Sequence, residues 1–138
     1  MEPAERYLLR YDELRQAVNN LKLSLSIDNA LLQDPVVQDS VESGQIQKFE
    51  FCTELAWKTS KQFLYHFHGI DLNSPKLVIK ELYVQKIIDQ QTYESLYQMI
   101  EDRNLLSHIY KKNVFDVIHK KLPGYLTVLE ELVGRIAS

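Results

Sequence analysis

The stretch from Arg103 to Tyr110 contains a permanent cation, an amide, an imidazole and a phenol within about two helical turns. The guanidinium of Arg103 offers a rigid fork of donors that matches a phosphate group. The imidazole of His108 can accept or release a proton near neutral pH. Together with the amide of Asn104, these side chains suit chemistry at a phosphate.

If this stretch is helical, residues spaced by four lie one above another along the same side of the helix. Leu96, Ile100, Asn104 and His108 follow one another at a spacing of four, so an apolar row becomes polar midway along the helix. We therefore expect the polar half to lie in a cleft, against a partner, or in a buried hydrogen-bond network.

These residues also carry a family resemblance. Arg103, Asn104, His108 and Tyr110 match the signature of HEPN domains, and the chain most resembles the HepT-like branch, also called nucleotidyltransferase substrate-binding proteins. Further blocks occur in the order typical of that branch, which together span roughly residues 44 to 110: Phe49-Glu50-Phe51, Glu54 to Lys58, Ser74-Pro75 and Glu101 to Asn104.

The resemblance implies an endoribonuclease toxin that needs neither a metal ion nor another cofactor. Its catalytic residues would be Arg103, Asn104 and His108, and Tyr110 would accept AMP from a minimal nucleotidyltransferase that acts as the antitoxin. Because Arg103 and His108 are about 140° apart around a helix, they would not share one narrow face. The resemblance implies a homodimer, in which two copies build one composite site. The products would be a 2′,3′-cyclic phosphate and a 5′-hydroxyl.

Two other functions remain open at this point. The chain could be a non-catalytic module that presents a nucleotide or polynucleotide to the transferase, or a helical dimer with a purely structural polar network. The net charge of −3 and pI of about 5.8 favour local RNA contacts over a grip on long duplexes, and we expect no DNA partner.

On the second predicted helix, Glu50, Glu54 and Lys58 lie one turn apart. A Glu54–Lys58 surface pair would account for two of them. Glu50 lies between two phenylalanines, and it either belongs to this surface ridge or reaches toward Arg103 to orient it. We assign it a supporting role without acid–base chemistry.

Other candidates have simpler interpretations. His66 and His68 point apart on a helix, so we predict no metal site and expect imidazoles at a helix end. Trp57 is expected in the core, His119 on a solvated face, and the single Cys52 as a buried thiol in a reducing cytoplasm. No phosphate-binding glycine loop occurs, so the chain itself is not expected to be a nucleotidyltransferase. No stretch resembles a secretion signal or a membrane span.

Apolar residues recur mainly at spacings of three and four, and only 4 Gly and 4 Pro interrupt them. This pattern predicts an all-α protein, and the length fits a single domain covering residues 1–138. The resemblance implies that the helices form an antiparallel up-and-down helical bundle of four to five helices. The first stripe should be Tyr7, Leu8, Tyr11, Leu14, Val18, Leu21 and Leu25, and the second should end at Phe67. The first two helices are predicted at about Ala4–Leu32 and Pro35–Phe67, the second with Asp34 as its cap and Gly69 as its stop. The third is predicted at Pro75–Lys86 after Ser74, and the fourth begins after Asp89 and ends near Tyr110–Asn113. The fifth is predicted at Val114–Ile136 after Asn113, with a kink or break at Pro123-Gly124.

Overall fold

Five α-helices build the chain in a computed structural model that describes residues 2–28, 32–109 and 111–137. Their bounds are α1 Pro3–Leu25, α2 Pro35–His68, α3 Pro75–Val84, α4 Gln90–His108 and α5 Lys112–Arg135. Within those three ranges there is no β-strand. The predicted all-α antiparallel bundle is therefore confirmed.

Three predicted helix ends have the expected chemistry. The carboxylate of Asp34 accepts a hydrogen bond from the backbone N–H of Val36 at 2.8 Å, and Asp89 accepts one from Thr92 at 2.8 Å. Gly69 ends α2 in the left-handed conformation, with φ of 66°, which glycine adopts without a steric penalty. Ser74 occupies the N-cap of α3, although its side chain forms no capping hydrogen bond in the described structure.

Several predicted boundaries are wrong. α1 ends at Leu25, where the hydroxyl of Ser26 donates to the carbonyl of Leu23 at 2.6 Å, so the helix does not reach Leu32. α4 ends at His108, and α5 begins at Lys112 with Lys111, not Asn113, at its N-cap.

Of the kink or break predicted at Pro123-Gly124, the break is wrong, because α5 stays helical from Lys112 to Arg135. Proline removes one backbone hydrogen bond within a helix. Leu122 and Tyr125 on either side of it are buried in the core, and this packing holds the helix together despite the lost bond.

α2 is the central helix of the bundle and contacts each of the other four, while α1 also packs on α5 and α4 packs on α3 and α5. The ring of Phe49 on α2 stacks on that of Tyr125 on α5, with centroids 5.4 Å apart. The hydroxyls of Tyr7 and Tyr11 donate to the carbonyls of Ile136 and Val133. These bonds attach α1 to the end of α5.

Two residues of the predicted stripes are not in the core. Leu8 is 51% exposed, because the buried face of α1 passes through Tyr7 and its neighbours at spacings of three and four. Phe67 is 45% exposed and packs its ring edge-on against Tyr7 at the end of the bundle. No helix in the described ranges is long and apolar enough to cross a membrane.

Candidate active site

The row of residues on α4 that goes from apolar to polar also goes from buried to exposed. Leu96 and Ile100 are buried in the core, whereas Asn104 and His108 are exposed. Each step of four residues rotates about 40° beyond a full turn, so a row at this spacing drifts around the helix. After two such steps the row has left the core, and Asn104 and His108 face outward.

Arg103 lies on a different side of α4, which is turned toward α2. Its Nη2 atom is 3.5 Å from Oε2 of Glu54, and about a third of its side chain is exposed. The Nε atom of Arg103 is buried and has no hydrogen-bond partner among the described residues. The guanidinium is therefore held by one loose contact and retains free donors.

Glu54 joins Arg103 to two neighbours on α2. Its carboxylate is 3.1 Å from Nζ of Lys58 and accepts a hydrogen bond from Nε1 of Trp57 at 3.2 Å. Burial by itself would raise the pKa of Glu54, but the bonds from Lys58 and Trp57 and the charge of Arg103 outweigh it and lower the pKa. Glu54 is therefore ionised at neutral pH and attracts the guanidinium of Arg103.

Of the two roles left open for Glu50, the reach toward Arg103 belongs to its neighbour Glu54 in this structure. Within the described chain, the carboxylate at ion-pair distance from the guanidinium is that of Glu54, while Glu50 lies one turn earlier on α2 and lines a cavity. The register between α2 and α4 decides which turn of one helix faces which turn of the other. No local pattern reports that register. The predicted Glu54–Lys58 pair is confirmed.

The cavity lies between the first half of α2, the end of α4 and the start of α5, and its volume is about 490 Å³. Its lining combines apolar side chains with carboxylates, amide and hydroxyl groups, and lysines: Ile46, Leu106, Ile109 and Phe115 with Asp39, Ser43, Gln47, Glu50, Lys111 and Lys112. It is a mixed surface that could accept both an aromatic ring and polar groups.

Asp102 is a key residue that sequence reasoning missed. It is buried, and its carboxylate accepts hydrogen bonds from Gln98 at 3.0 Å, from Lys121 at 3.1 Å and from the hydroxyl of Tyr125. Burial, followed by the bond to Asp102, raises the pKa of Tyr125. These bonds attach α4 to α5 at the residue next to Arg103. The signal was present, because Asp102 continues the spacing of the buried Leu96 and Met99.

His119 is half-buried and not solvated as predicted. Its Nε2 atom donates to Oε1 of Gln45 at 2.6 Å, and the amide of Gln45 donates to the carbonyl of Ser24 at 2.8 Å. This chain of bonds joins α5, α2 and the end of α1. Trp57 is half-buried as well, with its ring against the core.

The other residues that the sequence analysis singled out are a cysteine, two histidines and a tyrosine. Cys52 is buried, and burial raises the pKa of its thiol to about 12, as expected for an inert cysteine. His66 and His68 lie in the last turn of α2, as predicted. Across residues 2–28, 32–109 and 111–137, no three His, Cys, Asp or Glu side chains cluster closely enough to hold a metal ion. Tyr110 lies outside the described residues.

The candidate site thus consists of the exposed side chains of Asn104 and His108 at the end of α4 and the half-buried guanidinium of Arg103, which faces α2. The cavity lies one helical turn from Arg103. A single copy presents Arg103 and His108 on different faces of the helix.

Comparison with known proteins agrees with this fold. A family model described as nucleotidyltransferase substrate binding protein like matches residues 9–138. No curated protein sequence matches the chain.

Three solved structures illustrate the similarity. A Thermus thermophilus protein is 27% identical, with a TM-score of 0.75, over 91% of this chain and 99% of that one. A Haemophilus influenzae protein, described as having the fold of a substrate-binding domain of a nucleotidyltransferase, is 24% identical, with a TM-score of 0.76, over 91% and 98%. A tri-AMPylated Shewanella oneidensis HEPN toxin, in complex with an MNT antitoxin, is 17% identical, with a TM-score of 0.71, over 94% and 95%.

Proposed function

Because this chain belongs to the nucleotidyltransferase substrate-binding protein family, we propose that it is the toxin of a toxin–antitoxin pair and cleaves RNA without a metal ion. Its antitoxin would be a minimal nucleotidyltransferase. The Shewanella oneidensis protein of the same fold is a HEPN toxin bound to an MNT antitoxin, which supports the pairing. The presence of Arg103 and His108 at the accessible end of α4 is the observation that most favours catalysis.

These side chains can supply what cleavage at the 2′-hydroxyl requires. One imidazole takes the proton from the 2′-oxygen as that oxygen attacks phosphorus, and a protonated imidazole gives a proton to the departing 5′-oxygen. Arginine donors stabilise the charge that develops on the phosphate oxygens. Asn104 would orient the phosphate as a neutral donor. Since both a base and an acid are needed, one copy with one His108 is incomplete.

We propose a homodimer in which two α4 ends form one site. Leu105 is 36% exposed beside Asn104, and a second copy would cover it. We expect a dimer at micromolar concentration by analytical ultracentrifugation. Leu105→Glu should shift the protein to monomers and abolish cleavage. Val117→Glu, at an apolar α5 residue that is 56% exposed, is the matched control and should leave the dimer intact. A monomeric wild-type protein with full activity would contradict the composite site.

The decisive test is cleavage of a labelled RNA by the purified protein in excess EDTA. We expect undiminished cleavage and products that end in a 2′,3′-cyclic phosphate and a 5′-hydroxyl, because the attacking oxygen belongs to the RNA itself. Loss of activity in EDTA that returns with Mg²⁺, or products with a 3′-hydroxyl, would indicate a different reaction.

The second candidate function is a non-catalytic subunit that holds a nucleotide or polynucleotide for the transferase. The net charge of −3 and the cavity next to Arg103 favour it. In that case the wild-type protein would bind RNA in the same assay and leave it intact.

We further propose that Tyr110 is the site of regulation by AMP transfer. Its phenol oxygen would attack the α-phosphate of ATP on the transferase, forming a phosphodiester and releasing pyrophosphate. Tyr110 lies two residues after His108 in sequence, so the added negative charge and bulk would compete with the RNA phosphate. The AMP groups on the Shewanella oneidensis toxin support this role.

This modification is measurable by intact mass after incubation with the cognate transferase, ATP and Mg²⁺. We expect the mass of one or more AMP groups on the wild type and a matching loss of cleavage. Tyr110→Phe should prevent both changes, whereas Tyr97→Phe, at an exposed tyrosine on α4, should prevent neither. An unchanged mass increment on Tyr110→Phe would exclude Tyr110 as the acceptor.

A further inference from the structure

We infer that the cavity between α2, the end of α4 and the start of α5 binds one nucleotide of the substrate RNA, next to the phosphate that Arg103 contacts. This inference rests on the proposed function and adds a substrate subsite to it. The cavity volume of about 490 Å³ lies within the range of small-molecule sites, roughly 300–1,000 Å³.

The cavity continues the contact between Arg103 and Glu54. Leu106 lies three residues after Arg103 on α4, and Glu50 lies four residues before Glu54 on α2. Both Leu106 and Glu50 line the cavity. Moving one turn along each helix, about 5 Å, therefore leads from the guanidinium into the cavity. A phosphate on the free donors of Arg103 would have its nucleoside next to this opening.

The apolar residues of the lining suit the flat faces of a nucleobase, and the polar residues suit its hydrogen-bonding edge. Ile46, Leu106 and Phe115 supply apolar surface, and the Phe115 ring lies parallel to that of His119 at 6.2 Å. Stacking of a base on an aromatic ring stabilises binding whatever the base, because every base has a π-face. The apolar lining therefore accounts for affinity without selecting a sequence.

Cations in and beside the cavity favour a nucleotide within a chain over a free mononucleotide. Arg103 lies outside the lining, three residues before Leu106 on α4, while Lys111 and Lys112 line the cavity from the start of α5. A nucleotide inside RNA carries a phosphate on each side and can use both groups of cations. Nζ of Lys112 also forms an ion pair with Asp116 at 3.1 Å, and this pair already neutralises part of its charge.

The carboxylate of Glu50, which lines the cavity one turn of α2 before Glu54, supplies selectivity. An ionised carboxylate accepts hydrogen bonds and cannot donate them. Cytosine offers an amino group at the position where uracil offers a carbonyl oxygen, so a carboxylate that faces this position favours cytosine over uracil. Adenine also carries an amino group on this edge and would be accepted.

Binding of short RNAs to a cleavage-deficient protein tests this subsite. The full-length His108→Ala variant is titrated into labelled oligocytidylate and oligouridylate of equal length, and the dissociation constants are measured by fluorescence anisotropy. The two RNAs carry the same sugars and phosphates and differ only on the base edge, where cytosine has an amino group beside an acceptor nitrogen and uracil has a carbonyl oxygen beside a ring N–H. We expect oligocytidylate to bind about tenfold more tightly, the effect of one hydrogen bond to a charged group.

Two further substitutions in the same background locate the effect. Glu50→Gln should bring the two RNAs to within about twofold, because an amide can donate as well as accept. Ser43→Trp, which fills the cavity from α2, should weaken both RNAs about tenfold or more. The controls are Glu81→Gln on α3 and Thr127→Trp on α5, both remote from the cavity, and thermal melting confirms that every variant is folded.

Equal binding of the two RNAs before and after Glu50→Gln, or unchanged binding after Ser43→Trp, would overturn the subsite. If Ser43→Trp instead blocked only the complex with the transferase, the cavity would be a partner site and the inference would be wrong. Because the assay does not depend on catalysis, its result separates this inference from the proposed function. A cytidine preference with an inactive wild type would contradict cleavage alone, and an active wild type without the preference would contradict the subsite alone.

Discussion

Replacing His108 with alanine is expected to lower RNA cleavage by about 10²–10⁴-fold, the usual effect of removing a general acid or base. The same substitution removes both imidazoles of the composite site, because each copy contributes one. His108 is exposed at the last residue of α4, so its loss should leave the fold and its melting temperature unchanged. A loss of cleavage without a loss of stability would therefore report on the reaction itself.

Arg103→Ala should have a similar effect, about 10²–10³-fold, because it removes donors that stabilise the charged phosphate in the transition state. The contact of Arg103 with Glu54 is partly exposed, so its removal should cost less than about 1 kcal/mol of stability. Arg103→Lys retains the charge but loses the planar fork of donors, and it should recover only part of the activity.

Single-turnover cleavage measured across pH, with circular dichroism of each variant, checks both substitutions. The wild-type rate should fall on both sides of an optimum, because one imidazole must be neutral and the other protonated. Full activity in either alanine variant would remove that residue from the mechanism. A rate that rises steadily with pH would argue against a protonated imidazole as the acid.

Asp102→Ala is expected to destabilise the protein by about 3 kcal/mol, the scale for breaking a buried charged network. The substitution leaves the buried hydroxyl of Tyr125 without its acceptor and separates Lys121 and Gln98 from theirs. For a chain of this length the melting temperature should fall by roughly 10 °C. Urea unfolding followed by circular dichroism gives the free energy directly.

Two further variants show whether the network is responsible. Tyr125→Phe keeps the ring stacked on Phe49 and removes the hydroxyl, so we expect a smaller loss of about 1 kcal/mol. Glu131→Ala breaks an exposed pair with Arg135 on α5 and should cost only a few tenths of a kcal/mol. If Asp102→Ala cost no more than Glu131→Ala, the network would not stabilise the contact between α4 and α5.

Residue spacing and end signals predicted the helices, apart from some of their ends, and they singled out the candidate residues on the last turns of α4. Spacings of three and four predicted the bundle, and Asp34, Gly69 and Asp89 predicted their helix ends, because each acts on backbone groups a few residues away. Arg103, Asn104 and His108 were found in the same local way. The errors at Leu32 and Pro123 arose where packing, or its absence, outweighed the local signal.

Only the tertiary structure decided which groups meet across helices. Glu54, and not Glu50, faces Arg103; Asp102 reaches Tyr125; and His119 reaches Gln45. Each of these contacts depends on the register and rotation of one helix against another, which the shared core determines. A shift of one turn would exchange Glu54 for Glu50 without altering the sequence pattern. The sequence by itself therefore determined the helices and the candidate site residues, while packing of α2, α4 and α5 decided which residues meet and formed the cavity.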